Sequence, residues 1–331
     1  MPSSFQWSQL PAIPDQEGFA GAFAGVSNGA LVVAGGANIV GERWANPLQK
    51  KWYQSVFVLE RPSGAWLTGF QLPRALGYGV SITTPDGLLC IGGSDATQHF
   101  ADVFLLRWQN GKIESREFPP LPRPCANACG ALVGNTVYVA GGLVSPTATV
   151  TLKTFWALDL SAPSPSWKEL EPWPGPGRML AIAGSQNGSF FLFSGTGLSA
   201  DQEGKPVRHF LRDAYCFTPG QGWQRLADLP RAAVAGPSPA PSLGDSKLLI
   251  LSGDDGTNVD FAPIEEHPGF PKDILSYEIH SNQWTNMGAA PFSRATVPVV
   301  SWLDQAVFVN GEVRPRVRTP EVWALELGGV R

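Results

Sequence analysis

Short apolar runs separated by turn residues recur along the chain as a repeated unit. The unit is an apolar run, a tight turn, a β-rich run and a doublet of small residues, as in GAFAGVSNGALVVAGG, which ends at Gly36. Five further copies end at residues 93, 142, 195, 253 and 311, so the steps are 57, 49, 53, 58 and 58 residues. A fixed period of this length indicates a repeat architecture in which each copy is one supersecondary unit.

Each unit is predicted to hold four strands. A two-residue turn with positive-φ residues joins the first two strands; the candidate turns are Asn28-Gly29, Asp86-Gly87, Gly134-Asn135 and Asn187-Gly188. A third strand follows the doublet, and a fourth contains Trp66, Trp167, Trp223 or Trp284. A Pro-containing link then ends in an arginine: Arg74, Arg123, Arg178, Arg231 or Arg294. Four strands in each of six units, at a period of about 50 residues, predict an all-β, six-bladed kelch-type β-propeller.

The two chain ends predict how the ring closes. The last unit ends in EVWALEL, its third strand, whereas FQWSQLP around Trp7 is a fourth strand without a unit of its own. We therefore expect the N-terminal strand to complete the last blade, which removes a free sheet edge. Residues 1–331 are then a single six-bladed propeller, and the repeated Trp and Arg residues are interpreted as packing and carbonyl-binding groups between blades.

Composition excludes several classes of protein. The net charge is −4 and the basic residues form no stripe, which argues against a nucleic-acid partner. Apolar runs stay below the roughly 18 residues of a membrane span. The four cysteines lack the paired Cys/His spacing of a zinc site, so neither a metal nor a cofactor is expected. MPSSFQWSQLPAIPDQEG lacks the features of a signal peptide, so we expect a cytoplasmic protein, or a periplasmic one if a leader has been removed.

Functional residues in repeat proteins are expected where one copy departs from the others. Asn38 follows the first doublet and is a candidate for binding a sugar hydroxyl, or a cap of its own turn. Tyr78 begins a predicted innermost strand, so its ring either faces the channel or packs. Blade five contains a cluster of acidic residues and a histidine, interpreted as a solvated loop, a cap over the pore or a calcium site: Asp254, Asp255, Asp260, Glu265, Glu266 and His267.

Blade six departs most from the repeat. In FVNGEVRPRVRTPEVW, Glu312 stands where other copies have a small residue, and three arginines follow. Arginine is the preferred bidentate partner of a carboxylate, and a nearby glutamate can act as a general base. A surface ion pair in a loop is the alternative interpretation of this segment.

These segments resemble a known family. GFAGAFAGVSNGALVVAGGAN, GYGVSITTPDGLLCIGG and VFVNGEVRPRVRT together are similar to the bacterial kelch-propeller N-acetylneuraminate mutarotases, also called N-acetylneuraminate epimerases. The resemblance covers essentially the whole chain, and its most specific part is N-G-E-x-x-P-x-x-R-T from Asn310 to Thr319. Because GFAG comes first and NGE last here, the chain looks cyclically permuted relative to the well-known periplasmic member.

The resemblance implies a catalytic role for Glu312 as proton acceptor, with Arg318 assisting. It implies cofactor-free ring opening of N-acetylneuraminate, in which Arg318 holds the substrate carboxylate. Asn38, Tyr78 and Arg178 are the candidate substrate-binding residues, and Arg178, Tyr78 or a water is the candidate proton relay. A kelch-type binding platform and a mutarotase for a different sugar remain alternatives. Sialidase Asp boxes and the His/Tyr–Cys set of a copper-radical oxidase are not found in the sequence.

Overall fold

The computed structural model describes residues 5–327, and in them six antiparallel four-stranded sheets surround a central channel. We number these blades I to VI along the chain. The strands of each blade are given from the innermost outward. Blade I contains Phe23–Ser27, Ala30–Ala34, Ser55–Leu59 and Leu67–Gln71, and blade II contains Val80–Thr84, Gly87–Ile91, Val103–Gln109 and Lys112–Phe118. Blade III contains Cys129–Val133, Thr136–Ala140, Phe155–Asp159 and Trp167–Leu170. Blades IV to VI contain Ile182–Gln186, Ser189–Phe193, Ala214–Thr218 and Gly222–Leu226; Ser242–Leu243, Lys247–Leu251, Asp273–Glu278 and Gln283–Ala289; and Val299–Trp302, Gln305–Val309, Val322–Glu326 and Trp7–Leu10. The prediction of an all-β, six-bladed propeller is confirmed.

Connections between the second and third strands carry extra elements. Three are short strand pairs: Ala37–Ile39 with Lys50–Trp52 in blade I, Thr196–Ala200 with Pro206–Phe210 in blade IV, and Glu312–Arg314 with Val317–Arg318 in blade VI. Blade V has the 3-10 turn Ile264–Glu266 instead. These connections emerge at the same end of the blades as the links from one blade to the next, and we call this end the upper face. No helix within residues 5–327 is long and apolar enough to cross a membrane.

The N-terminal strand closes the ring as predicted. Trp7–Leu10 pairs antiparallel with Val322–Glu326 and forms the outermost strand of blade VI. The Trp7 ring lies 5.4 Å from that of Phe292 and 5.6 Å from that of Phe308. Closure therefore combines a hydrogen-bonded ladder with aromatic packing, and the third strand of blade VI is left without a free edge.

The tight turns follow the predicted chemistry at three of four places. Asn28 and Gly29 both have positive φ, as do Asn187 and Gly188, and Gly134 has a φ of 58°. Asp86-Gly87 is displaced by one residue, because Gly87 pairs with Thr84 and already belongs to the strand. Both φ-positive residues of an Asn-Gly turn match the twist of the flanking strands, which explains their use here.

Blades pack through apolar clusters, since each sheet buries both of its faces against its neighbours. One such cluster joins Val33 and Leu59 of blade I to Val300 and Val307 of blade VI. The repeated Trp residues take the predicted structural role, because each indole N–H donates to the carbonyl just after the outermost strand of the preceding blade. These bonds are Trp66 to Pro11 at 2.8 Å, Trp167 to Pro119 at 2.8 Å, Trp223 to Glu171 at 2.8 Å and Trp284 to Ala227 at 3.0 Å.

Candidate functional site

A ring of main-chain hydrogen bonds surrounds the channel on the upper face. One residue per blade, just before the innermost strand, donates its N–H to the carbonyl of the equivalent residue in the preceding blade, with N···O distances between 2.6 and 3.1 Å. All six have φ between 55° and 64°. We call these residues the collar: Gly21, Tyr78, Asn127, Leu180, Ala235 and Thr296.

The channel at the collar is too narrow for a sugar-sized ligand. Collar residues and the following innermost strands line a cavity of about 90 Å³. Sites for small molecules usually occupy about 300–1,000 Å³. A sugar-sized ligand therefore does not fit inside the channel at the level of the collar.

A second ring lies one strand outside the collar. In each blade the residue preceding the collar position pairs with the residue that follows the small-residue doublet. We call the latter residues the rim: Ala37, Ser94, Leu143, Thr196, Asp254 and Glu312. Two of them are carboxylic acids, in the neighbouring blades V and VI. The expectation that the other copies have a small residue at the Glu312 position is therefore wrong for Asp254 and Leu143.

Glu312 and Arg318 face each other across the strand pair of blade VI. They are directly opposite in the register, and Arg318 Nη1 lies 2.9 Å from Glu312 Oε1. The Arg316 main-chain N–H donates to the same oxygen at 2.6 Å. The side chains are 19% exposed for Glu312 and 6% for Arg318. The structure thus brings together the two residues that the motif singles out, in a position shielded from most of the solvent.

Each member of this pair keeps an unused polar atom. Glu312 Oε2 accepts no hydrogen bond from residues 5–327. Arg318 Nε is buried and has no partner there either. The free carboxylate oxygen is a group that can accept a proton, and the guanidinium beside it keeps a fixed positive charge.

Neighbouring blades support the Glu312–Arg318 strand pair. Arg316, with a φ of 70°, directs its guanidinium to the carbonyls of Arg43 and Ala45 in blade I, at 3.4 and 3.3 Å. Ser293 donates its hydroxyl to the Val313 carbonyl at 3.1 Å. Contacts on both flanks fix the strand pair, so Glu312 is oriented by more than its own turn.

Tyr78 lines the channel entrance, as one of its two predicted orientations requires. The Lys50 ammonium lies 4.0 Å from the centre of the Tyr78 ring and 4.7 Å from that of Trp52. Trp52 Nε1 is buried without a hydrogen-bond partner among residues 5–327. Sequence reasoning missed Lys50 and Trp52, because only the pairing of Ala37–Ile39 with Lys50–Trp52 carries them over Tyr78.

Asn38 acts as a structural cap behind the site. Its side chain is buried, its Nδ2 donates to the Gly18 carbonyl at 2.7 Å, and its Oδ1 accepts the Ile39 N–H at 2.7 Å. Gly18 in turn lies against Thr319, next to Arg318. The Asn38 amide therefore bonds within the protein, in agreement with the capping interpretation. Through Gly18 it also supports Thr319, the residue that follows Arg318.

Arg178 is placed where a substrate cannot reach it. The side chain is fully buried, with Nη1 donating to the Ser194 carbonyl at 2.8 Å and Nη2 to Asp213 Oδ2 at 2.6 Å. Arg294 repeats this arrangement with the Asn310 carbonyl and Glu321. The substrate-binding assignment of Arg178 is therefore corrected to a packing role, which is the general interpretation made above for the repeated arginines.

The acidic loop of blade V contains two half-buried carboxylates, Asp254 and Asp255, a buried His267 and three exposed acidic residues. Asp254 is half-buried at the rim, and its Oδ1 accepts the Gly256 N–H at 2.9 Å. Asp260, Glu265 and Glu266 are exposed. Among residues 5–327 no group of three or more His, Cys, Asp or Glu side chains is arranged to hold a metal ion. The loop therefore offers carboxyl groups to the upper face rather than a calcium cage.

Asp254 differs electrostatically from an ordinary surface aspartate. Burial raises the pKa of its carboxyl, and the neighbouring Asp255 raises it further. The hydrogen bond from Gly256 and the positive fields of His267 and Arg208 act in the opposite direction and only partly offset the rise. The carboxyl consequently keeps its proton to a higher pH than a solvated aspartate does.

The sequence of the chain is similar to known proteins of one family. The model of the family described as N-acetylneuraminate epimerase matches residues 2–114 and 118–262, well over half of the chain. The chain belongs to the N-acetylneuraminate epimerase family. The matched ranges stop before blade VI is complete, so this family assignment does not depend on Glu312 or Arg318.

Individual members of the N-acetylneuraminate epimerase family align at moderate identity. The N-acetylneuraminate epimerase of Haemophilus influenzae is 31% identical over 230 residues, which are 62% of this chain and 58% of that protein. The corresponding protein of Brucella melitensis is 28% identical over 248 residues, 66% of this chain and 61% of that protein. That of Yersinia pseudotuberculosis is 28% identical over 235 residues, 63% and 57% respectively. The chain thus spans about three fifths of the length of these curated relatives.

Proposed function

We propose that the protein is a mutarotase that accelerates interconversion of the anomers of N-acetylneuraminate by acid/base-catalysed ring opening. The observation that carries the proposal is the Glu312–Arg318 pair, held at 2.9 Å on the upper face and shielded from most solvent. Membership of the N-acetylneuraminate epimerase family supports the same substrate.

Anomer exchange of this sugar needs two proton transfers. The anomeric hydroxyl gives up its proton while the ring oxygen gains one, and the bond between the anomeric carbon and the ring oxygen breaks. Rotation of the open-chain ketone and ring closure on the other face complete the exchange. In the proposal, Glu312 Oε2 is the base for the anomeric hydroxyl, because no group within residues 5–327 donates a hydrogen bond to it.

Two cationic groups fit the substrate carboxylate. Arg318 is proposed as the main contact, since it lies beside Glu312 and its Nη2 has no partner within residues 5–327. Lys50 is proposed as a second contact on the blade I side, where its ammonium lies 4.0 Å from the centre of the Tyr78 ring. In the proposal, binding of the carboxylate by these cations orients the adjacent anomeric carbon toward Glu312.

The test follows the anomers directly by proton NMR. N-acetylneuraminate released from an α-linked donor is monitored with the protein, with Glu312→Gln and with Glu114→Gln, a matched change on the outermost strand of blade II. We expect acceleration by the protein and by Glu114→Gln, and a loss of about 10²–10⁴-fold in Glu312→Gln. Circular dichroism establishes that the variants are folded.

Arg318→Lys examines substrate recognition in the same assay. An ammonium cannot reproduce the planar fork of a guanidinium, so we expect half-saturation to require more substrate. A folded protein that accelerates a different reducing sugar but not N-acetylneuraminate would change the substrate while keeping the chemistry. A folded protein without activity on any reducing sugar would refute the proposal and favour a binding platform.

A further inference from the structure

We infer that Asp254 is the general acid of the reaction and works with Glu312 as a pair across the boundary of blades V and VI. This inference deepens the proposed function and rests on it. Arg178, one of the candidate relays considered from the sequence, is buried in an ion pair. The acid must instead come from a group at the upper face.

The first argument is positional. Asp254 pairs with Val234 and Glu312 pairs with Ala295, so the two carboxylic acids occupy the same rim position in adjacent blades. The collar residues next to their partners, Ala235 and Thr296, are joined by an N–H···O bond of 2.6 Å. Two rim carboxyl groups in neighbouring blades are thus anchored to two main-chain segments that a hydrogen bond joins.

The spacing suits a single sugar ring. One hydrogen bond separates neighbouring collar residues by about 5 Å, and the rim lies one strand spacing of about 4.8 Å farther from the axis. In a six-fold ring this places neighbouring rim backbones about 10 Å apart. Carboxyl pairs separated by about 5–9.5 Å act on opposite sides of one sugar in glycosidases. A backbone separation of this size leaves room for one sugar ring between the two side chains, which is the arrangement that the inference requires.

The second argument is the contrast between the two environments. Glu312 receives two N–H donors on one oxygen, from Arg318 and from the Arg316 main chain. Asp254 receives one, from Gly256, and its Oδ2 has no partner within residues 5–327. Burial raises the pKa of Asp254. Two carboxyl groups in such different surroundings divide naturally into a base and an acid.

The proposed step balances as follows. The anomeric O–H proton passes to the Glu312 carboxylate, and the electron pair of that O–H bond forms the new C=O bond. The bond between the anomeric carbon and the ring oxygen breaks, its electron pair stays on the ring oxygen, and that oxygen takes the proton of Asp254. After rotation, closure returns the new hydroxyl proton to Asp254, and Glu312 protonates the carbonyl oxygen. Both residues regain their starting protonation states.

The experiment compares Asp254→Asn with Asp245→Asn in the NMR assay. Asp245 is exposed in the turn at the opposite face of blade V, so it is the same substitution in the same blade away from the site. We expect Asp254→Asn to lose about 10²-fold or more in rate, Asp245→Asn to retain the rate, and Asp254→Glu to recover part of it because a proton donor is restored.

The pH profile separates a catalytic role from a structural one. Wild-type activity should fall on the alkaline side of the profile as Asp254 loses its proton. The charges of Asp255, His267 and Arg208 influence the pH of this decrease through the pKa of Asp254. Asp254→Asn should lack the alkaline decrease. Wild-type rate and profile in Asp254→Asn, with Glu312→Gln inactive, would overturn the inference and leave the proposed function standing. Absence of acceleration by the wild-type protein would overturn both.

Discussion

Replacing Gly18 with alanine tests whether the link behind the Glu312–Arg318 strand pair is fixed by close main-chain contact. Gly18 has a φ of 71°, and a Cβ at this position would lie 2.0 Å from the Thr319 carbonyl oxygen. Gly29 is a matched control, because it has a φ of 77° and a Cβ there would meet nothing within 4 Å. Both alanines carry the same backbone strain, and only one of them carries the clash.

The magnitude follows from these two contributions. A residue with a side chain in the left-handed region costs about 1–2 kcal/mol, which is the expected loss for Gly29→Ala. In Gly18→Ala the new Cβ and the Thr319 carbonyl oxygen must also separate from 2.0 Å to the 3.4 Å at which ordinary van der Waals contact begins. Overpacking of this kind costs a further 1–3 kcal/mol or so, giving about 2–5 kcal/mol in total.

Urea unfolding followed by tryptophan fluorescence measures both variants. We expect the midpoint to fall more in Gly18→Ala than in Gly29→Ala at unchanged denaturant dependence. Because Thr319 adjoins Arg318, anomer exchange should also slow in Gly18→Ala while Gly29→Ala keeps the wild-type rate. Equal destabilisation of the two variants would refute the reasoning, since it would mean that the link moves away from Thr319 at no cost.

Two further predictions concern buried charges and acid stability. Arg178→Met should destabilise the fold by about 3–5 kcal/mol, because it removes a fully buried guanidinium and leaves the Asp213 carboxylate without its ion-pair partner. Arg123→Met is the control: Arg123 and Glu169 form a pair whose side chains are 44% and 49% exposed, so its loss should cost at most about 1 kcal/mol in the same unfolding assay. Burial lowers the pKa of His99 below its ordinary 6.5, so the unfolded chain binds a proton at a higher pH than the folded chain does. The free energy of unfolding should therefore fall as the pH drops below 6.5. His99→Gln should show a smaller decline over that range, and an unchanged pH dependence would contradict the assignment.

The fold was predictable from the sequence because its determinants are local and repeated. Asn-Gly turns, small-residue doublets and the spacing of Trp residues each specify one feature of a blade, and six copies reinforce one another. Ring closure was predictable for the same reason, since Trp7 is recognisable as a missing copy. The one displaced turn, at Gly87, shows that a dipeptide alone does not fix the register of a hairpin.

The site was only partly predictable, because repeated residues and site residues use the same amino acids. Glu312 and the three arginines after it were recognised as a departure from the repeat, and the family motif singled out Arg318 among them. Arg178 was misassigned because an arginine with a packing role has the same sequence appearance as one that binds an anion. Lys50 was missed because its place above Tyr78 depends on how two strands separated by a loop pair with each other.

The hydrogen bonds of the collar involve only main-chain atoms, so they do not depend on the collar side chains. Every bond in it runs from one main-chain N–H to one main-chain carbonyl, and glycine, tyrosine, asparagine, leucine, alanine and threonine already occupy its six places. At the five places that already have a side chain, a substitution alters the channel entrance without removing a bond that joins the blades, apart from the strain already present at positive φ. At Gly21 a Cβ would lie 2.5 Å from the Tyr78 ring, so that place is restricted. Evolution or a protein engineer can thus diversify selectivity around this opening, position by position, on an unchanged scaffold.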